Sequence, residues 1–270
     1  MILFFVTLFF CISGAAFAGS FKAVPVRLYL DAQSKTAVLK IVNEGDEKVT
    51  VQMDAKSWKQ DDAGKDIYDS TGDIIIFPKL ASIEKGVTRI IRVGYKGKPG
   101  LQEKTYRLFA QELPVTKPGE LALKFALTLS IPVFVAPEKE MANWTAEAAG
   151  LSEESLKVKV TNSGNSHIIV SKIKARGLNE SGEEVFSRET AGWYTLAGKS
   201  RIYTVGIPHE ECLKARTIKV EATIERTTRE FSFEVKKEMC TVKPEAPTEA
   251  TKTRPAAVGP KDIQKPDHTK

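Results

Sequence analysis

Large apolar and polar residues alternate along most of this chain with a period of two. That is the repeat of an extended strand, whose successive side chains point to opposite faces. The longest such run is Leu121-Ala-Leu-Lys-Phe-Ala-Leu-Thr-Leu-Ser-Ile131, continued by Pro-Val-Phe-Val-Ala-Pro137. Leu121, Leu123, Phe125, Leu127, Leu129 and Ile131 share one face; Ala122, Lys124, Ala126, Thr128 and Ser130 share the other. A helix would scatter those apolar residues around its axis. The run therefore predicts a β-strand over 121–136, well above the usual length of about five or six residues. Its apolar face has two readings at this point. It either lines the core of a sandwich or forms an edge that lends its side chains to another chain.

Shorter strands precede it. The pattern predicts Val24–Leu30, Thr36–Asn43, Val49–Trp58, Asp73–Pro78, Thr88–Gly94 and Thr105–Leu113, with polar turns at Glu44–Glu47 and around Asp61–Gly64. Short strands punctuated by Gly, Asp and Pro turns indicate an immunoglobulin-like sandwich. A polar hinge, Pro137–Glu140, then leads to a second set. Its strands are predicted at Trp144–Glu147, Leu156–Thr161, His167–Ile173, Glu184–Phe186, Arg201–Val205, Thr217–Thr223 and Phe231–Val235. Asn162–Asn165 and Asn179–Gly182 supply turns. No amphipathic helix interrupts either set. The predicted class is all-β, with immunoglobulin-like β-sandwich domains over 19–137 and 138–240.

The two ends differ from this pattern. Residues 2–10 form a short apolar run and Ala16-Phe-Ala18 is a small-x-small cleavage site, so 1–18 reads as a secretory signal peptide. No Lys or Arg precedes the run, a departure from the usual signal. The run is too short to span a membrane comfortably, so no stable membrane insertion is expected after cleavage. Residues 241–270 are rich in Pro, Lys, Thr and Ala and almost lack large apolar groups. Such a tail cannot bury enough surface to offset its ordering entropy, and is expected to be disordered.

Export changes the reading of the cysteines. With Cys11 in the signal, the mature chain keeps Cys212 and Cys240. An even count in an exported protein favours a disulfide, with two free thiols as the alternative. The formal net charge is +6, but both signs are interspersed, which argues for solubility and against a nucleic-acid-binding stripe. Candidate catalytic chemistry is sparse. The histidines are 167, 209 and 268, and His209-Glu-Glu-Cys212 lacks the second histidine one turn away that a zinc-protease helix needs. It reads as a structural loop. No nucleophile elbow, phosphate loop or paired-cysteine metal site is present, so neither an enzyme nor a cofactor is indicated.

Arg27, the segment Tyr106-Arg-Leu-Phe-Ala-Gln-Glu-Leu-Pro114 and the strand ending Pro-Val-Phe-Val-Ala-Pro137 together resemble the PapD-like periplasmic chaperones of the chaperone–usher pathway. The resemblance spans roughly residues 21–240 and is strongest over 21–137. Trp58-Lys-Gln-Asp, Ile76-Phe-Pro-Lys79 and Arg92-Val-Gly94 place it closer to the archaic branch. It implies two sandwiches set as an L, a periplasmic location, and a function in capping pilus or fimbrial subunits that lack their last strand. It also implies delivery of those subunits to an outer-membrane usher. The alternative from a different class is an exported two-domain adhesin or structural surface protein.

By that resemblance Leu123, Phe125 and Leu127 fall on the donor positions of the lent strand, and Leu129 and Ile131 continue its face. Arg27 matches the family's basic anchor for the subunit's terminal carboxylate. The lysine that accompanies it falls on Pro132 here, and Lys124 is eight residues from that position, too far to share a carboxylate. Arg89 and Arg92 are the candidate replacements. The family's cleft salt bridge is also incomplete: Glu103 fits its acidic member, whereas the basic member falls on Ala136.

Overall fold

A computed structural model describes residues 21–114, 125–152 and 154–240. The signal segment, the tail and Leu121 and Leu123 of the long run lie outside these residues. The first sandwich is built from β1 (Phe21–Val24), β2 (Leu28–Leu30), β3 (Thr36–Asn43), β4 (Val49–Gln60), β5 (Asp66–Ser70), β6 (Ile74–Phe77), β7 (Leu80–Ile83), β8 (Thr88–Tyr95), β9 (Lys104–Glu112) and β10 (Thr128–Val135). One sheet has the order β1-β3-β8-β6; the other has the order β2-β10-β9-β4-β5, with β7 also on β4.

The predicted strand Val24–Leu30 is divided. β1 pairs with β3 in the first sheet, and β2 runs parallel to β10 in the second. The switch falls at the cis Val24–Pro25 bond, where proline has no N–H to continue a ladder. The cis Phe77–Pro78 bond marks a like switch between β6 and β7. Among the described residues of the long run, strand begins only at Thr128. The last ladder pair with β9 is Gln111–Thr128, and a single backbone bond, Glu112 N–H to Leu127 O at 2.9 Å, carries the contact one residue further.

The sheets close over a core with Leu39, Ile41, Ile91 and Val93 on one side and Val51, Met53, Leu108, Ala110, Ile131 and Val133 on the other. Burying each such side chain contributes about 1.5–3 kcal/mol, which is what fixes the strand parity.

The second sandwich contains β11 (Trp144–Ser152), β12 (Ser155–Asn162), β13 (Ile168–Leu178), β14 (Glu184–Ala191), β15 (Tyr194–Thr195), β16 (Ser200–Gly206), β17 (Thr217–Ile224) and β18 (Thr227–Glu234). A sheet ordered β11-β12-β16 faces one ordered β14-β13-β17-β18, with β15 also on β13. Leu156, Val158, Val160, Ile173, Val205, Ile218 and Val220 fill the space between them.

The segment read as a loop at His209–Cys212 is a short helix instead, α1 (His209–Lys214). Pro208 precedes it and Glu210 and Glu211 occupy its first turn, both favourable at a helix start.

Cys212 on α1 and Cys240 on the final 3-10 turn form a disulfide, with Cα atoms 5.7 Å apart and both residues fully buried. The free-thiol alternative is thereby set aside. Cross-linking residues 28 apart restricts the unfolded chain. Reduction is expected to lower the unfolding free energy by about 2–4 kcal/mol. Urea denaturation with and without reductant checks this, and coincident midpoints would mean that the bond carries no stability.

Candidate functional site

The two edges of β10 are treated differently along its length. On one side it pairs with β9 throughout, from Thr128 to Val135. On the other, β2 pairs only with Val133, Phe134 and Val135. Among the described residues, Thr128 to Pro132 therefore have a free sheet edge. The apolar face of this stretch is graded. Ile131 is buried in the core, Leu129 and Leu127 are partly buried against it, and Phe125 is 86% exposed. Beside the free edge the core of the first sandwich runs out toward solvent. An unpaired edge next to exposed apolar groups attracts any strand that can pair with it.

Arginine flanks the inner end of this edge on both sides. Pro132 lies opposite Arg107 on β9. On its other side the parallel pair Val133–Leu28 places Arg27 one residue before β2, next to Pro132. By strand parity both side chains lie on the outer face of the sheet, opposite to Leu28 and Leu108, which point into the core.

Arg107 is only 4% exposed. Its guanidinium carbon lies 3.8 Å from the centre of the Trp58 ring, 5.4 Å from Tyr194 and 5.6 Å from Trp193. Nε and Nη2 are buried without a hydrogen-bond partner. Burial holds its pKa below the usual arginine value, with Tyr68, Asp66 and Tyr194 opposing that shift in part. Stacking on an aromatic face recovers some of the desolvation cost, but a buried charge without an ionic partner is costly.

Arg27 is half-buried, 5.7 Å from the centre of the same Tyr194 ring. Its desolvation, which alone would lower its pKa, is outweighed by interactions with Tyr194 and Tyr29, so the pKa is raised. Two guanidinium groups therefore converge on Tyr194, which belongs to the second sandwich.

Arg89 and Arg92 are not brought to Arg27. They lie on β8, in the first sheet, and both are exposed. They belong to the sheet that does not contain β10, and the arginine that stands beside Pro132 is instead Arg107. Arg107 stands in the quoted segment Tyr106-Arg-Leu-Phe-Ala, where its outward parity was visible as a charge between buried Tyr106 and Leu108. Its pairing with Pro132 was not visible, because register between strands is not written in either strand alone.

The incomplete cleft salt bridge has a different completion. His167, which immediately precedes the second sandwich's β13, places Nδ1 2.9 Å from both carboxylate oxygens of Glu103. Its backbone N–H donates to Glu103 Oε2 at 2.8 Å. The imidazole ring stacks on Phe134 with centroids 3.6 Å apart and planes at 8°. The hydrogen-bonding partner of Glu103 thus comes from the other domain and not from the position after Val135.

Further contacts tie the domains together. Gln60 Nε2 donates to Tyr194 O at 3.0 Å and Gln60 Oε1 accepts from Leu196 N–H at 2.9 Å. Asn165 Nδ2 donates across the interface to Leu101 O and within its own domain to Lys139 O, each at 2.8 Å. Each of these side chains is buried and satisfied, the condition under which a polar link specifies one geometry.

Residues 20–140 match the family described as pili and flagellar-assembly chaperone, PapD N-terminal domain. The chain carries a PapD-type chaperone domain. Its PapD-type fold extends over both sandwiches, because solved pilus chaperones align across most of the chain. The CsuC–CsuE chaperone–tip adhesion subunit pre-assembly complex, from archaic chaperone–usher Csu pili of Acinetobacter baumannii, is similar at 19% identity. Its TM-score is 0.54, covering 79% of this chain and 98% of that one. The YadV chaperone is similar at 16% identity and a TM-score of 0.56, covering 80% and 100%. The Salmonella enterica SafA pilin in complex with the SafB chaperone gives 16% identity and a TM-score of 0.52, covering 82% and 98%. Among curated proteins no relative matches the sequence.

Proposed function

We propose that this chain is a periplasmic, non-enzymatic chaperone that caps pilus or fimbrial subunits by lending them a strand and delivers them to an outer-membrane usher. The observation that carries the reading is the divided pairing of β10: covered on both sides at Val133–Val135, open on one side at Thr128–Pro132. A subunit without its last strand has a complementary defect, an unpaired edge and an unfilled groove. Leu123, Phe125 and Leu127 fill that groove, Leu129 and Ile131 join the two cores, and the backbone edge pairs with the subunit strand. Strand addition of this kind is an established recognition mode. The subunit's terminal carboxylate lies between Arg27 and Arg107, whose buried Nε and Nη2 have no hydrogen-bond partner among the described residues. The signal-like segment 1–18 supports a periplasmic setting. A spacer domain in an adhesin would have no use for a buried arginine with two unbonded nitrogens at an open sheet edge.

Co-expression with a pilin-like subunit tests the reading. The chaperone is expected to raise the subunit's soluble yield and to co-purify with it one to one. No change in subunit solubility, with no complex, would refute the proposal.

A further inference from the structure

The convergence of Arg27 and Arg107 on a residue of the second domain leads beyond a two-arginine anchor. We infer that Tyr194 is a third ligand for the terminal carboxylate, donating a hydrogen bond from its phenolic O–H, so that subunit capture engages both domains at a single group. The inference rests on the carboxylate anchor proposed above.

Tyr194 is held from several directions. Its backbone pairs with Ile169 in the β13–β15 ladder and its carbonyl accepts from Gln60. Its ring meets Trp58 edge-on at 5.3 Å and Trp193 edge-on at 5.4 Å. The side chain is 7% exposed, so its direction is set by packing. The hydroxyl is different. The ring stands 5.7 Å from the Arg27 guanidinium, which can only donate, so the phenolic O–H remains able to donate to another group. Arg107 is also within electrostatic reach of this phenol.

Two guanidinium groups, 5.7 and 5.4 Å from the centre of the Tyr194 ring, thus meet one phenol at the inner end of the free edge. A carboxylate offers about four lone-pair sites and satisfies all three groups at once. A neutral amide terminus offers fewer acceptors and turns N–H groups toward the guanidinium ions. The site therefore reads a free chain end, with the phenol as the part of the reading contributed by the second domain.

The test uses a synthetic strand-forming peptide of alternating valine and threonine with a free terminal carboxylate, and the same peptide amidated. Both are titrated into the full-length wild type and the Tyr194→Phe variant, which keeps the ring and its packing. The wild type is expected to prefer the carboxylate peptide. Tyr194→Phe is expected to lower affinity for that peptide by about tenfold, the usual size of a hydrogen bond to a charged group, and to leave the amidated peptide unaffected. Equal preference in the variant and the wild type would overturn the role of Tyr194 while keeping the arginine anchor. An equal loss for both peptides would reduce Tyr194 to a packing residue, also against the inference. Equal behaviour of the two peptides on the wild type, including no binding of either, would remove the carboxylate anchor and this inference with it.

Discussion

Phe125→Asp is expected to abolish subunit capture while the free chaperone keeps its melting temperature. Phe125 is 86% exposed and contributes nothing to the buried core of its own domain. Its only apolar destination under the proposed register is the groove of a client. Aspartate there would bury an unpaired carboxylate, which is far costlier than the lost contact. Leu123→Asp should behave in the same way, since it shares the parity of Phe125. Leu127→Asp and Leu129→Asp differ, because those side chains already pack on the chaperone's own core and their loss also destabilises the free protein. Pull-down of a co-expressed subunit, run beside thermal melting, separates the two classes. Normal recovery of the complex with Phe125→Asp would mean that the strand is lent in another register, or not at all.

Arg107→Met is expected to weaken subunit binding by roughly 2–5 kcal/mol, the usual cost of truncating one partner of a buried charge pair. Its effect on the free chaperone should have a different sign from that of most core substitutions. Methionine retains an apolar stem against Trp58 and removes a buried charge whose Nε and Nη2 have no hydrogen-bond partner among the described residues. Replacing an uncompensated buried charge by an apolar residue is neutral or stabilising. Arg27→Ala should weaken binding through the same carboxylate, whereas Arg89→Ala and Arg92→Ala, on the other sheet, should bind as wild type. Complex recovery and urea midpoints for the four variants decide the matter. A parallel fall in stability and binding for Arg107→Met would make this residue structural.

Strand parity was legible in the sequence, and with it most of the core. Thr36–Asn43 has the predicted limits because its alternation is bounded by turn residues and meets no sheet switch. β5 and β7 were not legible as strands. β5 is polar and largely exposed, so it has no buried face to generate a period. β7 lies beyond a cis-proline and is only four residues long, too short for its alternation to stand out. The open edge was anticipated only as one of two readings, since alternation looks the same whether a face is covered by its own chain or by another. The anchor illustrates the remaining limit. Pro132, Arg107 and Arg27 are adjacent laterally across strands but far apart along the chain. The same holds for Glu103 and His167, which meet only because the two domains dock.

The short β2 has a consequence for how a captured strand is measured. It occupies the same lane along β10 that a client strand would enter, and it begins where the free stretch stops. A client whose last residue meets Arg27 must therefore run parallel to β10, head to tail with β2, and can advance no further than Leu28. The lane has a buffer stop. Position along it is counted from the client's own chain end, so residues added after that end should block seating even when every side chain of the strand is unchanged.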